Sequence, residues 1–105
     1  EDALVGLGQS AIPLVFSLSQ NYPNPFNPNT TLDYSLPIAG SVHLAVYDLL
    51  GHEIVILVDG YQEPGYKSIT WNGTDKFGND VSTGMYFYKL RSADFEKVKK
   101  MVLLK

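Results

Sequence analysis

The sequence predicts an all-β fold, a seven-stranded immunoglobulin-like antiparallel β-sandwich, on three observations. Apolar and polar residues alternate with a period of two in several short runs. Turn-forming Pro, Gly, Asn and Asp separate those runs at near-regular intervals within the 105 residues. No segment spaces its apolar residues for a helix.

Residues 1–13 read as a linker or N-terminal arm, and residues 14–105 as the domain. The first strand is expected at residues 14–18. Pro23, Pro25 and Pro28 follow, and proline forces itself and its predecessor out of the helical region. In the next strand Leu32, Tyr34 and Leu36 alternate with Thr31, Asp33 and Ser35, up to Pro37. Val42, Leu44 and Val46 then alternate with His43, Ala45 and Tyr47. That strand ends at Asp48-Leu49-Leu50-Gly51, where glycine permits a turn conformation other residues avoid. Residues 54–58 are continuously apolar and predict a strand covered on both faces. Residues 66–71 form the next strand, with Ile69 and Trp71 on one face. A polar loop leads to Gly84, then to residues 85–91, with Tyr86, Tyr88 and Leu90 in phase. Residues 95–104 close the fold. Leu44, Val46, Ile69, Trp71, Tyr86 and Leu90 are the expected core, and no internal repeat is evident.

Hydrophobic residues make up 45% and charged residues 18%, the balance of an ordinary globular domain rather than a disordered chain. No stretch approaches the length of a membrane-spanning helix. A net charge of −3 argues against nucleic-acid binding, which needs a basic field. Cysteine is absent, removing disulfides, thiolate nucleophiles and Cys-ligated zinc. Methionine occurs only at Met85 and Met101, so the expectation is a piece of a longer protein.

The residues offer no catalytic constellation and imply no cofactor. His43 and His52 lie apart, and no Gly-x-Ser-x-Gly elbow accompanies them. His43 is expected to point outward from a strand, and His52 to be a solvated loop residue. Asp75, Asn79 and Asp80 are the weak metal candidates. Counting from Asp75, an EF-hand needs an oxygen ligand where Phe77 stands and glycine at the sixth position, whereas Gly78 comes fourth. Asx side chains capping their own turn is the better reading. Gly6-Leu7-Gly8 lacks the rest of a dinucleotide fingerprint. The sequons at Asn29 and Asn72 are short enough to arise by chance. Lys97, Lys99, Lys100 and Lys105 give an acidic chain a basic end, which guards an edge strand.

Five stretches in order, YPNPFNP, TTLDYSLP, VYDLLGHEI, WNGTDKFGNDVSTGMYFYKL and KKMVLLK, resemble the type A C-terminal sorting domain of type IX secretion, found on cargo proteins of the Bacteroidota. The similarity runs from about Phe16 to Lys105. It implies a β-sandwich that carries an upstream cargo domain in cis from the periplasm through the outer-membrane translocon. A surface sortase then recognises it, leaving the cargo secreted or at the cell surface. By position, Pro23, Asn24 and Pro25 match the family's opening motif, and Tyr47, Asp48 and Gly51 its central turn. Gly84, Tyr86 and Leu90 match the penultimate strand. Lys100, Met101, Val102, Leu103 and Lys105 match the closing motif. His52 departs from the pattern, standing where the family often has Arg or Lys. Alternative readings are an immunoglobulin-like assembly module of the flagellar hook-capping kind, or an accessory carbohydrate-binding spacer of a secreted glycosidase.

The end of the chain carries one further expectation. Met101-Val102-Leu103-Leu104 is apolar at four consecutive positions, so a strand there presents apolar side chains to both faces. One pair, Met101 with Leu103 or Val102 with Leu104, therefore needs a cover other than the core. Residues 4–12 or a partner would supply it.

Overall fold

The alternation of Leu32, Tyr34 and Leu36 with polar residues builds β2 (Thr30–Leu36), and similar patterns build most other strands of the computed structural model, which describes residues 12–105. The others are β1 (Ser17–Leu18), β3 (Gly40–Tyr47), β4 (Glu53–Gln62), β5 (Gly65–Trp71), β6 (Gly84–Ser92) and β7 (Phe95–Leu103). No helix occurs among the described residues. One sheet has the order β1-β2-β5 and the other β4-β3-β6-β7, with every strand pair antiparallel. The expected seven-stranded sandwich is what the chain forms.

The core lies between the sheets. Leu32, Tyr34 and Leu36 of β2 and Trp71 of β5 close over Val42, Leu44, Val46, Tyr86, Tyr88, Leu90, Met101 and Leu103, all buried. Trp71 meets the ring of Phe26 at 5.6 Å and that of Tyr86 edge-on at 5.7 Å. Its indole N–H donates to the Thr74 carbonyl at 2.8 Å, which satisfies the polar tip of a buried aromatic. Of the expected core, Ile69 alone is only half-buried, packed at the margin.

Three expectations need correction. The first strand is confined to Ser17–Leu18, and Leu14 and Val15 are exposed. The run at residues 54–58 is not a strand covered on both faces, because β4 is an edge strand. Its register against β3 shifts between Leu44 and Ala45 and again between Val46 and Tyr47. Each shift sets two β4 residues against one on β3, so neighbouring residues no longer alternate strictly between faces. Ile54, Val55, Leu57 and Val58 all pack against the core margin, while Ile56 points out. Lastly, β7 ends at Leu103, before Leu104.

The registers put the connections at residues 19–29, 48–52 and 72–83, and the end of β7, at one end of the sandwich. The connections at residues 37–39, 63–64 and 93–94 lie at the other. The chain before β1 enters from that second end, since Ser17 pairs with Ser35. The expected arm lies, apart from its last two residues, outside the described residues.

Candidate functional site

The proline loop folds back onto the outer edge of β7. Asn24 is held two residues before Phe26, and its Oδ1 accepts the Val102 N–H at 3.0 Å. Phe26 then runs parallel to the strand end: its N–H donates to the Val102 carbonyl at 3.0 Å, and its carbonyl accepts from Leu104 N–H at 2.9 Å. Gln20 Nε2 donates to the Lys100 carbonyl at 2.7 Å, and Thr83 Oγ1 accepts the Lys105 N–H at 3.1 Å. An edge strand ordinarily leaves such groups open to foreign pairing. Here the chain closes its own edge from Lys100 to Lys105.

Beneath the loop lies a buried polar knot. Asn21 Nδ2 donates to Thr30 Oγ1 at 2.9 Å and to the Pro23 carbonyl at 3.2 Å, and Thr30 Oγ1 donates to that same carbonyl at 2.9 Å. The Tyr88 hydroxyl accepts the Asn21 N–H at 2.8 Å and donates to the Ser19 carbonyl at 2.7 Å. Burial pushes the Tyr88 hydroxyl up to about 12, against the opposing pull of the Asn21 N–H. No buried side-chain nitrogen or oxygen among the described residues lacks a partner, as a stable polar knot requires.

The central turn is built by Asp48. Its Oδ1 accepts the N–H groups of Leu50 and His52, both at 2.9 Å, while Gly51 N–H donates to the Asp48 carbonyl at 3.0 Å. The His52 N–H, first among several contacts, holds the Asp48 carboxyl below its ordinary range. His52 Nδ1 also lies 3.3 Å from Asp48 Oδ2. Asp75 repeats the arrangement: its Oδ1 accepts from Phe77 and Asn79 N–H at 2.9 Å each, and Gly78 N–H donates to its carbonyl at 3.0 Å. Gly51 and Gly78 take φ of +87° and +83°, where a side chain is strained. The two turns share only Asp and Gly in sequence, too little for a repeat to show. The turns adjoin, since Lys76 N–H donates to the Ile54 carbonyl at 3.0 Å. Asp75 thus caps its own turn.

Most of the motif positions gather at this end. Pro23, Asn24 and Pro25 are exposed on the loop, and Gly84 opens β6 opposite Leu103. Tyr86 is buried opposite Met101. Met101 and Leu103 face the core, whereas Val102 points outward and Lys100 and Lys105 are exposed. Leu90 does not belong with them, because it pairs with Leu44 and Lys97 farther along the sheet. The outward apolar pair is therefore Val102 with Leu104. Val102 is half-buried beside Met85, while Leu104 is 50% exposed beyond the strand end. The proposed cover from residues 4–12 lies, apart from Ile12, outside the described residues. Nearby, Tyr47, Gly51, Phe87, Lys89 and Val98 line a groove of about 280 Å³ on the outer face of the larger sheet. Sequence reasoning missed Gln20, Asn21, Phe26, Thr30 and Thr83. Only Phe26, an aromatic set between prolines, offered a local signal.

The fold is thus a small β-sandwich whose opening loop and closing strand are bonded to one another. The profile of the family described as the secretion system C-terminal sorting domain matches residues 20–104. The chain belongs to this family, a C-terminal sorting signal of type IX secretion whose members are in general non-catalytic and serve export to the cell surface or beyond. A comparison with curated protein sequences finds no match. Among solved structures, dimeric latent PorU from Porphyromonas gingivalis is similar, with 20% identity over 90% of this chain and 10% of that one and a TM-score of 0.67. PorZ of the same organism, described as an essential surface component of its type IX secretion system, gives 17% identity over 93% and 12% and a TM-score of 0.57. The chain thus spans a small fraction of either protein. FlgD of Xanthomonas campestris, described in connection with flagellar hook capping, gives 21% identity over 97% and 74% and a TM-score of 0.58. These likenesses are of fold.

Proposed function

We propose that the end of the sandwich carrying the proline loop, the central turn and the closing strand is the surface read by the outer-membrane translocon, and afterwards by a surface sortase. The observation that carries this reading is the bonding of Asn24 and Phe26 to Val102 and Leu104, which joins the opening and closing motifs into one rigid surface. The chain enters β1 from the opposite end, since Ser17 pairs with Ser35. The domain acts as substrate and ligand of the machinery, crossing the periplasm in transit, and performs no catalysis itself. Pro23, Asn24, Pro25, Tyr47, Asp48, Gly51, Lys100, Val102 and Lys105 are recognition candidates. Gly84, Tyr86, Leu90, Met101 and Leu103 hold the strands that present them.

The test is a fluorescent passenger with an N-terminal signal peptide, fused ahead of the full chain. It reaches the medium or the cell surface when the type IX machinery is intact and stays in the periplasm when the translocon is disabled. Equal export in both strains refutes the reading. A folded domain that is never exported favours the assembly-module or spacer alternatives.

A further inference from the structure

The outer faces of the two sheets are unlike. On the larger sheet the registers turn His43, Asp59, Lys89, Arg91, Glu96 and Lys100 outward, the charged face of a solvated sheet. On the smaller sheet they set Ser17, Ser35 and Tyr66 in one outward row and Ser19, Asp33 and Ser68 in the next. The bridge between Tyr22 and Thr31 adds a third row, Tyr22, Thr31 and Thr70. Every side chain in these rows carries a hydroxyl except Asp33. Solvation does not require this, since the larger sheet meets the same solvent with charges.

A groove of about 370 Å³ lies over the first two rows. With strands about 5 Å apart and rows about 7 Å apart, its floor measures about 10 by 7 Å. That holds a sugar ring, and falls far short of the roughly 800 Å² a stable protein contact takes from each partner. On the floor, the buried Ser35 hydroxyl donates to the Val15 carbonyl at 2.9 Å. The 2.6 Å contact between the Ser17 and Ser35 hydroxyls is therefore donated by Ser17, whose oxygen stays open to accept. Asp33 is half-buried at the centre, and among the described residues no ion pair engages its carboxylate. Its two oxygens can accept from two adjacent hydroxyls, and a charged acceptor makes such bonds stronger. Asp33 and Lys67 are the charged residues of the lining, and their signs cancel, so net charge draws neither an anion nor a cation.

Tyr66 stands at the rim, 72% exposed. Tyrosine supplies rigid amphipathic area and serine adaptable hydrogen bonding, a pairing that recognition surfaces favour. The complement of this lining is an uncharged molecule with adjacent hydroxyls and one apolar face, which is the chemistry of a sugar ring. Tyr22, 57% exposed, lies about 14 Å farther along the strands, beyond the reach of a single ring.

We propose that the outer face of the smaller sheet binds a neutral glycan chain. One ring stacks on Tyr66 and places its hydroxyls on Asp33 and the serines, and a later ring of the chain reaches Tyr22. The proposal does not depend on the sorting reading, and its test involves no export.

The test titrates the nitrogen-15-labelled full chain with neutral hexasaccharides of glucose, mannose, galactose and xylose, and with the four monosaccharides. At least one hexasaccharide shifts the N–H signals of Ser17, Asp33, Tyr66 and Ser68 saturably, and binds at least tenfold more tightly than its monosaccharide. Tyr66→Ala and Asp33→Ala each weaken that binding at least tenfold with the urea midpoint unchanged, while Tyr66→Phe binds as the parent does. Tyr61→Ala, which removes an exposed ring from the larger sheet, also binds as the parent does. Silence toward all four hexasaccharides overturns the proposal, as do shifts confined to other residues. Undiminished binding by Tyr66→Ala overturns it too. An equal response to a heparin oligosaccharide or to oligolysine shows a charged ligand instead and refutes the neutral glycan.

Discussion

The two ends of this sandwich are closed by different means. At the end opposite the motifs, connections of two or three residues do the work: 37–39 and 63–64 carry the chain from one sheet to the other, 93–94 turns β6 into its neighbour β7, and Ser92 Oγ donates to the Ser41 carbonyl at 2.9 Å. At the motif end, the bonds run between residues far apart in the chain: Asn24 to Val102, Gln20 to Lys100, and Tyr88 to Ser19 and Asn21. Such contacts exist only when the whole chain is folded, because closing long loops is entropically unfavourable until the sheets are in place. The difference teaches that the opening and closing motifs report folding. A translocon that reads the joined surface reads a completed domain.

Substitutions can weigh the two ends against each other. Trp71→Ala at the motif end carries the largest effect, about 3–5 kcal/mol, because it empties the site between Phe26 and Tyr86. A urea midpoint measures it, and an unchanged midpoint removes Trp71 from the core. Thr30→Val keeps the shape but leaves Asn21 and the Pro23 carbonyl each short of a partner. The expected loss is about 1–3 kcal/mol, as for a buried group left unsatisfied.

A pH scan isolates the knot beneath the proline loop. The folded-state value for Tyr88 is raised to about 12, against about 10 for a free tyrosine. The folded state therefore favours the protonated hydroxyl. Its contribution is intact below about pH 10 and is lost as pH rises through about 12. Ultraviolet titration should show one tyrosine ionising last, together with loss of structure, and Tyr88→Phe should abolish that late step. Smallest of all is Tyr61→Ser, toward the other end, where the exposed ring predicts a change within about 0.5 kcal/mol by the same urea assay.

The sequence was informative wherever one side chain's environment follows from its neighbours. Leu44 and Val46, or Tyr86, Tyr88 and Leu90, announce their inward face by alternation alone. The five-residue apolar run in β4 misled because two register shifts, which have no composition signature, replace strict alternation. At the site, the motif positions could be read, but the bonds joining them could not. Asn24 and Val102 are 78 positions apart, and nothing local in either stretch names the other. The likeness of the two turns escaped for a related reason, since a shared backbone pattern needs only Asp and Gly and leaves the rest of each turn free.

Whether the motif end is read, rather than merely folded, is decided by plotting the exported fraction of the passenger against the urea midpoint for variants at both ends. Variants such as Asn24→Ala and Val102→Ser at the motif end should lose export by far more than their midpoints explain. Substitutions of equal stability cost at residues 37–39, 63–64 and 93–94 should keep it. If every variant falls on one curve, export follows stability alone, and no surface at the motif end is recognised.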